Sequence, residues 1–186
     1  MSEISEPVCS NQWVALWAPV LTVAAAYVFL SFGPLAVIRQ RADGKVPEAG
    51  FGYSERKLTE FLSAAGPDGD LMYRRALRYD MWFSVLYGIG WTLALATSFS
   101  RVVGDEYRML RWLTLTPVLL AVVDLIEDSL LLGIVDAQPG CHDGLLRPDL
   151  VPVASAVTIA KWLLFALAAG VTVYGYVMLA RHGYVT

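Results

Sequence analysis

Six side chains in this sequence have the types and spacing to do chemistry where water hardly reaches: Asp80, Tyr87, Asp124, Glu127, Asp128 and Lys161. Asp124 stands three residues before Glu127 and four before Asp128, so on a helix the three carboxyls share a face. Asp80, Phe83, Ser84, Tyr87 and Trp91 form a second stripe at the same spacing, and Ser155, Thr158 and Lys161 form a third. All the charges lie in or beside long apolar blocks. A lone charge at the centre of a bilayer costs about 2.5–3.5 kcal/mol on insertion scales, so such groups are expected to face inward and pair. The expected ion pair joins Lys161 to Glu127 or Asp124, with Tyr87 donating a hydrogen bond. Three neighbouring carboxyls cannot all stay ionised in a poorly solvated site, which places a surplus proton on a remaining acid. The arrangement suits a pocket for the polar head of an amphiphilic, lipid-like molecule. A cationic head is favoured, because carboxylates outnumber Lys161. Protonated Glu127 or Asp128 could also serve as an acid catalyst. The competing reading is a buried network that only specifies helix packing, as polar groups in membrane bundles often do.

The elements that must position these groups are read from the apolar blocks. Hydrophobic residues make up 56% of the 186-residue chain and charged ones 17%, where a soluble domain carries about 25% charged residues. A membrane-spanning helix needs about 20 mostly apolar residues. Four segments qualify: 13–38, closed by Gly33-Pro34 and Arg39; 80–100, closed by Arg101; 110–135, with Pro117 near its start; and 151–180, closed by Arg181. Every backbone group must be bonded internally in lipid, and these blocks are continuous rather than alternating. They are therefore expected to be helices and not barrel strands. Trp13, Trp17, Tyr79, Trp82, Trp112 and Tyr176 fall near block ends, as interface anchors do. The first ten residues lack the basic start of a signal peptide, so the first block is expected to remain as a helix. The fold class expected is all-α: a single domain over 1–186, built as a four-helix transmembrane bundle.

The long first loop contains one further element. Ser54 can cap a helix over about 55–65, on which Leu58, Phe61, Leu62 and Ala65 share a face, and Gly66-Pro67 ends it. This short amphipathic helix is expected at the lipid surface or against the bundle. Leu71 to Arg78 is expected to lengthen the second span into water. The first and third loops hold Arg39, Arg41, Lys45, Arg56, Lys57, Arg74, Arg75, Arg78 and Arg147, against Arg101, Arg108, Arg111 and Arg181 on the other side. The excess places both loops in the cytoplasm and both termini outside a cell membrane. On that topology Asp80, Lys161, Glu127 and Asp128 fall in one leaflet with Asp124 slightly deeper. Lys161 and Glu127 come roughly 15 and 12 Å from their helix ends at 1.5 Å per residue.

Two stretches, LMYRRALRYDMWFSVLYG and PVLLAVVDLIEDSLLL, and the later VTIAKWLLFAL resemble a widespread set of small four-span bacterial membrane proteins. In that pattern an aspartate opens the second span with a tyrosine seven residues on, matched by Asp80 and Tyr87. The third span carries D-x-x-E-N, matched by Asp124 and Glu127, with Asp128 in place of the asparagine. The lysine of the fourth span is matched by Lys161. The resemblance covers most of residues 58–170 and implies four spans but no reaction. The emopamil-binding and sterol-isomerase group resembles this chain only in small size and intramembrane acids; it uses histidines, and no span here has one.

Several functions are disfavoured. A net charge of −3 leaves no basic surplus for nucleic acid. His142 and His182 lie in a loop and the tail, against a haem held by paired intramembrane histidines. No cysteine lies in a span, and Cys9 and Cys141 fall on opposite sides of the proposed membrane, so no disulfide is expected. No G-x-S-x-G, P-loop or H-E-x-x-H is present. Cys141-His142-Asp143 lacks ligand spacing, so neither a metal nor a cofactor is expected. No ladder of arginines suggests a voltage sensor, and no paired halves suggest a transporter. A membrane-protein partner or a homodimer is the remaining partner class. Ala24, Ala25, Ala168, Ala169 and Gly170 offer small surfaces for close helix approach.

Overall fold

The computed structural model describes residues 24, 28, 34–42, 46–66, 68–102, 112–135 and 147–181. Among the described residues the chain is all-helical. The helices are α1 (Pro34–Arg41), α2 (Glu55–Ala65), α3 (Gly69–Val102), α4 (Thr116–Val135) and α5 (Val151–Arg181). Single 3-10 turns at Pro47–Ala49 and Pro148–Leu150 join them. Most of the expected first span, 13–38, lies outside the described residues, as do Cys9, Cys141, His142, Asp143 and His182.

The helix bounds follow from local chemistry. Pro34 opens α1, which runs on to Arg41, past the expected end at Ile38. Proline is well suited to a first helical turn, where its missing N–H has no partner to lose. Ser54 caps α2, its Oγ accepting from the Lys57 N–H at 3.4 Å. Gly66 ends it with φ +83°, a conformation that costs glycine little. The segment from Leu71 to Arg78 and the expected second span form one 34-residue helix, α3. In the expected third span, residues 112–115 are 3-10 and the α-helix starts at Thr116, while 110–111 lie outside the described residues. Pro117 accounts for the late start, because proline in a helix interior would remove a hydrogen bond and clash with the preceding turn.

Helix α4 packs between α3 and α5. A large apolar cluster closes one end of the assembly and includes Ile38, Leu58, Phe61, Tyr73, Leu77, Leu131, Ile134 and Val151. The buried face of α2 contributes Leu58, Phe61 and Ala65, and Phe61 meets Tyr73 edge-on at 5.1 Å. This amphipathic helix therefore turns its apolar face to the other helices. Two arginines tie down helix C-termini, where carbonyls lack internal partners. Arg74 donates from Nε and Nη2 to the Val135 carbonyl at 3.1 and 2.9 Å, and Arg41 donates to the Ala65 carbonyl at 3.3 Å. A strap before α2 is held to α5 where the Tyr53 N–H donates to Ser155 Oγ at 2.9 Å. The neighbouring Gly52 has φ +84°, and a Cβ there would stand 2.8 Å from the same Oγ. Helices α3 and α4 approach closely at Gly88, whose missing Cβ would lie 2.6 Å from that of Ala121.

Among the described residues one helical segment, Pro148–Met178, is long and apolar enough to cross a membrane. Only 17% of its most apolar stretch is buried, unlike the core helix of a soluble protein.

Candidate functional site

The inward faces of α3, α4 and α5 meet at a polar centre. On α4 the spacing that buries Leu120, Ala121 and Leu131 also buries Asp124, Glu127 and Asp128, exposed by 6, 0 and 1%. Residues three, four and seven apart share a helix face, so the face that packs the apolar side chains must also carry the acids inward. On α3 the same rule places Ser84, which is fully buried, one turn after Asp80 and one before Tyr87 and Gly88. From α5, Thr158 and Lys161 reach the same point.

The contacts bridge all three helices. Lys161 Nζ lies 3.0 Å from Asp124 Oδ1 and is also in contact with Glu127 Oε2. Asp124 Oδ2 accepts from Ser84 Oγ at 2.5 Å and from the Tyr87 hydroxyl at 3.1 Å. Thr158 Oγ1 donates to Glu127 Oε1. Each of these two carboxylates thus meets the ammonium through one oxygen and hydroxyls through the other. Charge-assisted hydrogen bonds of this kind are roughly twice as strong as neutral ones. The half-buried Asp80 sits beside the pair: carboxylate oxygens of Asp80, Asp124 and Asp128 all lie within 4.8 Å of one another. Lys161 thus holds two acids, one of which also clusters with two further carboxyls. The Asp80–Asp124–Asp128 trio has the donor type for a hard cation, but the ammonium already neutralises Asp124. The same oxygens suit a proton or an organic ammonium.

All six residues singled out by spacing are thus brought to one neighbourhood, and Lys161 takes both acids rather than choosing between them. The aromatic residues divide into two groups. Phe83 lies beside Tyr87 with ring centres 5.5 Å apart. Trp91 and Trp162 instead flank Phe165, at 6.0 and 5.8 Å, and the indole N–H of Trp91 donates to Thr172 Oγ1 at 2.8 Å. Phe165 and Thr172 were not among the residues that the stripes picked out. Their spacing from Lys161, four and eleven residues, fits the same helix face and could have marked them. Ser84 and Thr158 were legible as stripe members, although nothing in the spacing revealed that each takes one carboxylate. Just before α5 the exposed Arg147 donates to both carboxylate oxygens of Asp149 at 3.3 and 3.2 Å.

No family model matches this chain, and no curated protein or solved structure is significantly similar to it.

Proposed function

We propose that this chain is an integral membrane protein, a four-helix transmembrane bundle, whose polar centre binds the cationic head of an amphiphilic, lipid-like molecule. Its first and third loops face the cytoplasm and both termini face outward. The observation that carries the membrane reading is an inverted distribution of polarity. The outer faces of the long helices expose Trp82 and Leu86 on α3, Leu119 and Ile126 on α4, and Leu163 and Val173 on α5. Their acids point inward. A soluble helix places its charges outside, whereas lipid favours the arrangement seen here. The ligand reading rests on the clustering of acids at the centre. Carboxylate oxygens of Asp80 and Asp128 cluster with Asp124, which Lys161 holds together with Glu127, and the half-buried Asp80 provides the edge through which a cationic head would enter. Phe83 and Tyr87 line the approach.

The experiment is native mass spectrometry of the detergent-purified protein, followed by thermal shifts with cationic and anionic single-chain amphiphiles. A retained small molecule is expected, together with a melting temperature raised by the cationic amphiphile and diminished in Asp80→Asn. An empty bundle that ignores both amphiphiles would refute the ligand reading.

A structural or assembly subunit is the second reading. It is favoured by the near-saturation of Asp124 and Glu127 by Ser84, Tyr87, Thr158 and Lys161, as in a network that fixes helix register. Cross-linking in native membranes separates the two, since a stoichiometric partner protein supports the subunit.

A further inference from the structure

The face of α3 opposite the acids carries its own pattern. Arg75, Arg78, Tyr79, Trp82, Leu86 and Ile89 fall within roughly a 100° sector at 3.6 residues per turn. All six are exposed, Trp82 by 73% and Leu86 by 67%. From Arg75 onward the order along the helix is cationic, then aromatic, then aliphatic, with the exposed Leu71 one turn earlier in the same sector, and no Asp or Glu of α3 falls there. From Arg75 to Ile89 the helix rises about 21 Å at 1.5 Å per residue. Half of a bilayer measured across its headgroups is also about 20–22 Å. The sequence of chemistries thus matches a phospholipid read from phosphate to acyl chain, over one leaflet.

We propose that this face of α3 seats an anionic phospholipid of the cytoplasmic leaflet. Its phosphate and headgroup lie between the Arg75 and Arg78 guanidiniums, its glycerol region lies against Tyr79 and Trp82, and an acyl chain runs along Leu86 and Ile89. Two guanidiniums can each make forked hydrogen bonds to phosphate oxygens. Anionic headgroups and basic side chains attract at the cytoplasmic surface, and aromatic rings settle at the boundary between headgroup and chain. The inference rests on the membrane reading above but not on a ligand in the acid centre, which occupies the opposite face of the same helix.

The test uses the full chain reconstituted in equimolar phosphatidylcholine and phosphatidylglycerol vesicles, with either lipid brominated on its chains. Quenching assigned to Trp82, taken as the difference between wild type and Trp82→Phe, is expected to be several-fold stronger from brominated phosphatidylglycerol. That preference should vanish in Arg75→Gln/Arg78→Gln. Native mass spectrometry after extraction should show phosphatidylglycerol retained on the order of tenfold over phosphatidylcholine, a preference also lost in the double variant. Equal quenching by the two lipids, unchanged in the double variant, would overturn the anionic seat while leaving the membrane reading intact. No Trp82 quenching by either lipid would overturn both.

Discussion

Lys161 is the residue on which the polar centre turns. Its ammonium is the partner shared by Asp124 and Glu127, so Lys161→Met leaves two buried carboxylates without their counter-charge. Removing one partner of a buried pair costs about 3–5 kcal/mol. A drop toward the low end of that range is expected in a detergent unfolding titration, because the site can then take up protons. Adding Glu127→Gln to Lys161→Met should recover part of the loss, whereas Glu127→Gln alone in the wild type should weaken the centre. If Lys161→Met unfolds as the wild type does, the pair contributes nothing. The sequence discloses much at this scale. Three- and four-residue steps put Asp124, Glu127 and Asp128 on one face, and lipid-like surroundings demand that they pair. It does not disclose that one ammonium would serve two acids. That depends on how far α5 slides along α4, which neighbouring side chains decide and spacing does not.

At the scale of elements, the close approach of α3 to α4 depends on a glycine. A methyl group at Gly88 would collide with the Ala121 methyl. Gly88→Val is therefore expected to cost about 1–3 kcal/mol by overpacking, and to weaken the Tyr87–Asp124 hydrogen bond one residue away. A normal thermal midpoint for Gly88→Val would contradict that packing. Gly52→Ala should loosen the strap over α5, since φ +84° and the Ser155 hydroxyl both oppose a side chain. The expected readout is faster proteolysis within 46–54 while the long helices stay intact. Element type was legible from apolar runs, and the 55–65 helix from its cap and its stripe. Its docking partner was not: the same amphipathic face serves a bilayer or a protein, and only the presence of Tyr73 and Leu77 opposite selects the protein. The start of α4 was misplaced because apolar content continues through Leu110 while Pro117 dictates where helical hydrogen bonding begins.

For the whole molecule, helix length bears on the proposed bilayer. The 20 residues of α4 rise about 30 Å at 1.5 Å each, the thickness of a hydrocarbon core. The longer α3 and α5 must tilt or project beyond it. Projection of the α3 start would bring Arg74 and α2 to the cytoplasmic face. Single cysteines test this: Arg56→Cys should react with an impermeant maleimide only after the cytoplasmic side is opened, and Arg181→Cys from outside in intact cells. The reverse pattern would invert the topology. Four apolar blocks stand out in the sequence, yet among the described residues only the last helix qualifies as a span by length and apolarity alone. Helix α4 carries three acids within its 20 residues. The residues that make the centre interesting also disguise the helix that bears it.

The contact at Gly88 and Ala121 has a mechanical corollary. Where two helices pack with a glycine against a methyl group, the rods can swing apart at their tips more readily than at the packed point, which acts as a fulcrum. Asp124 stands one helical turn from Ala121, and Ser84 and Tyr87 stand beside Gly88. Thinning, stretching or bending of the proposed surrounding sheet of lipid would therefore spread the helix tips first and leave the charged centre nearly still.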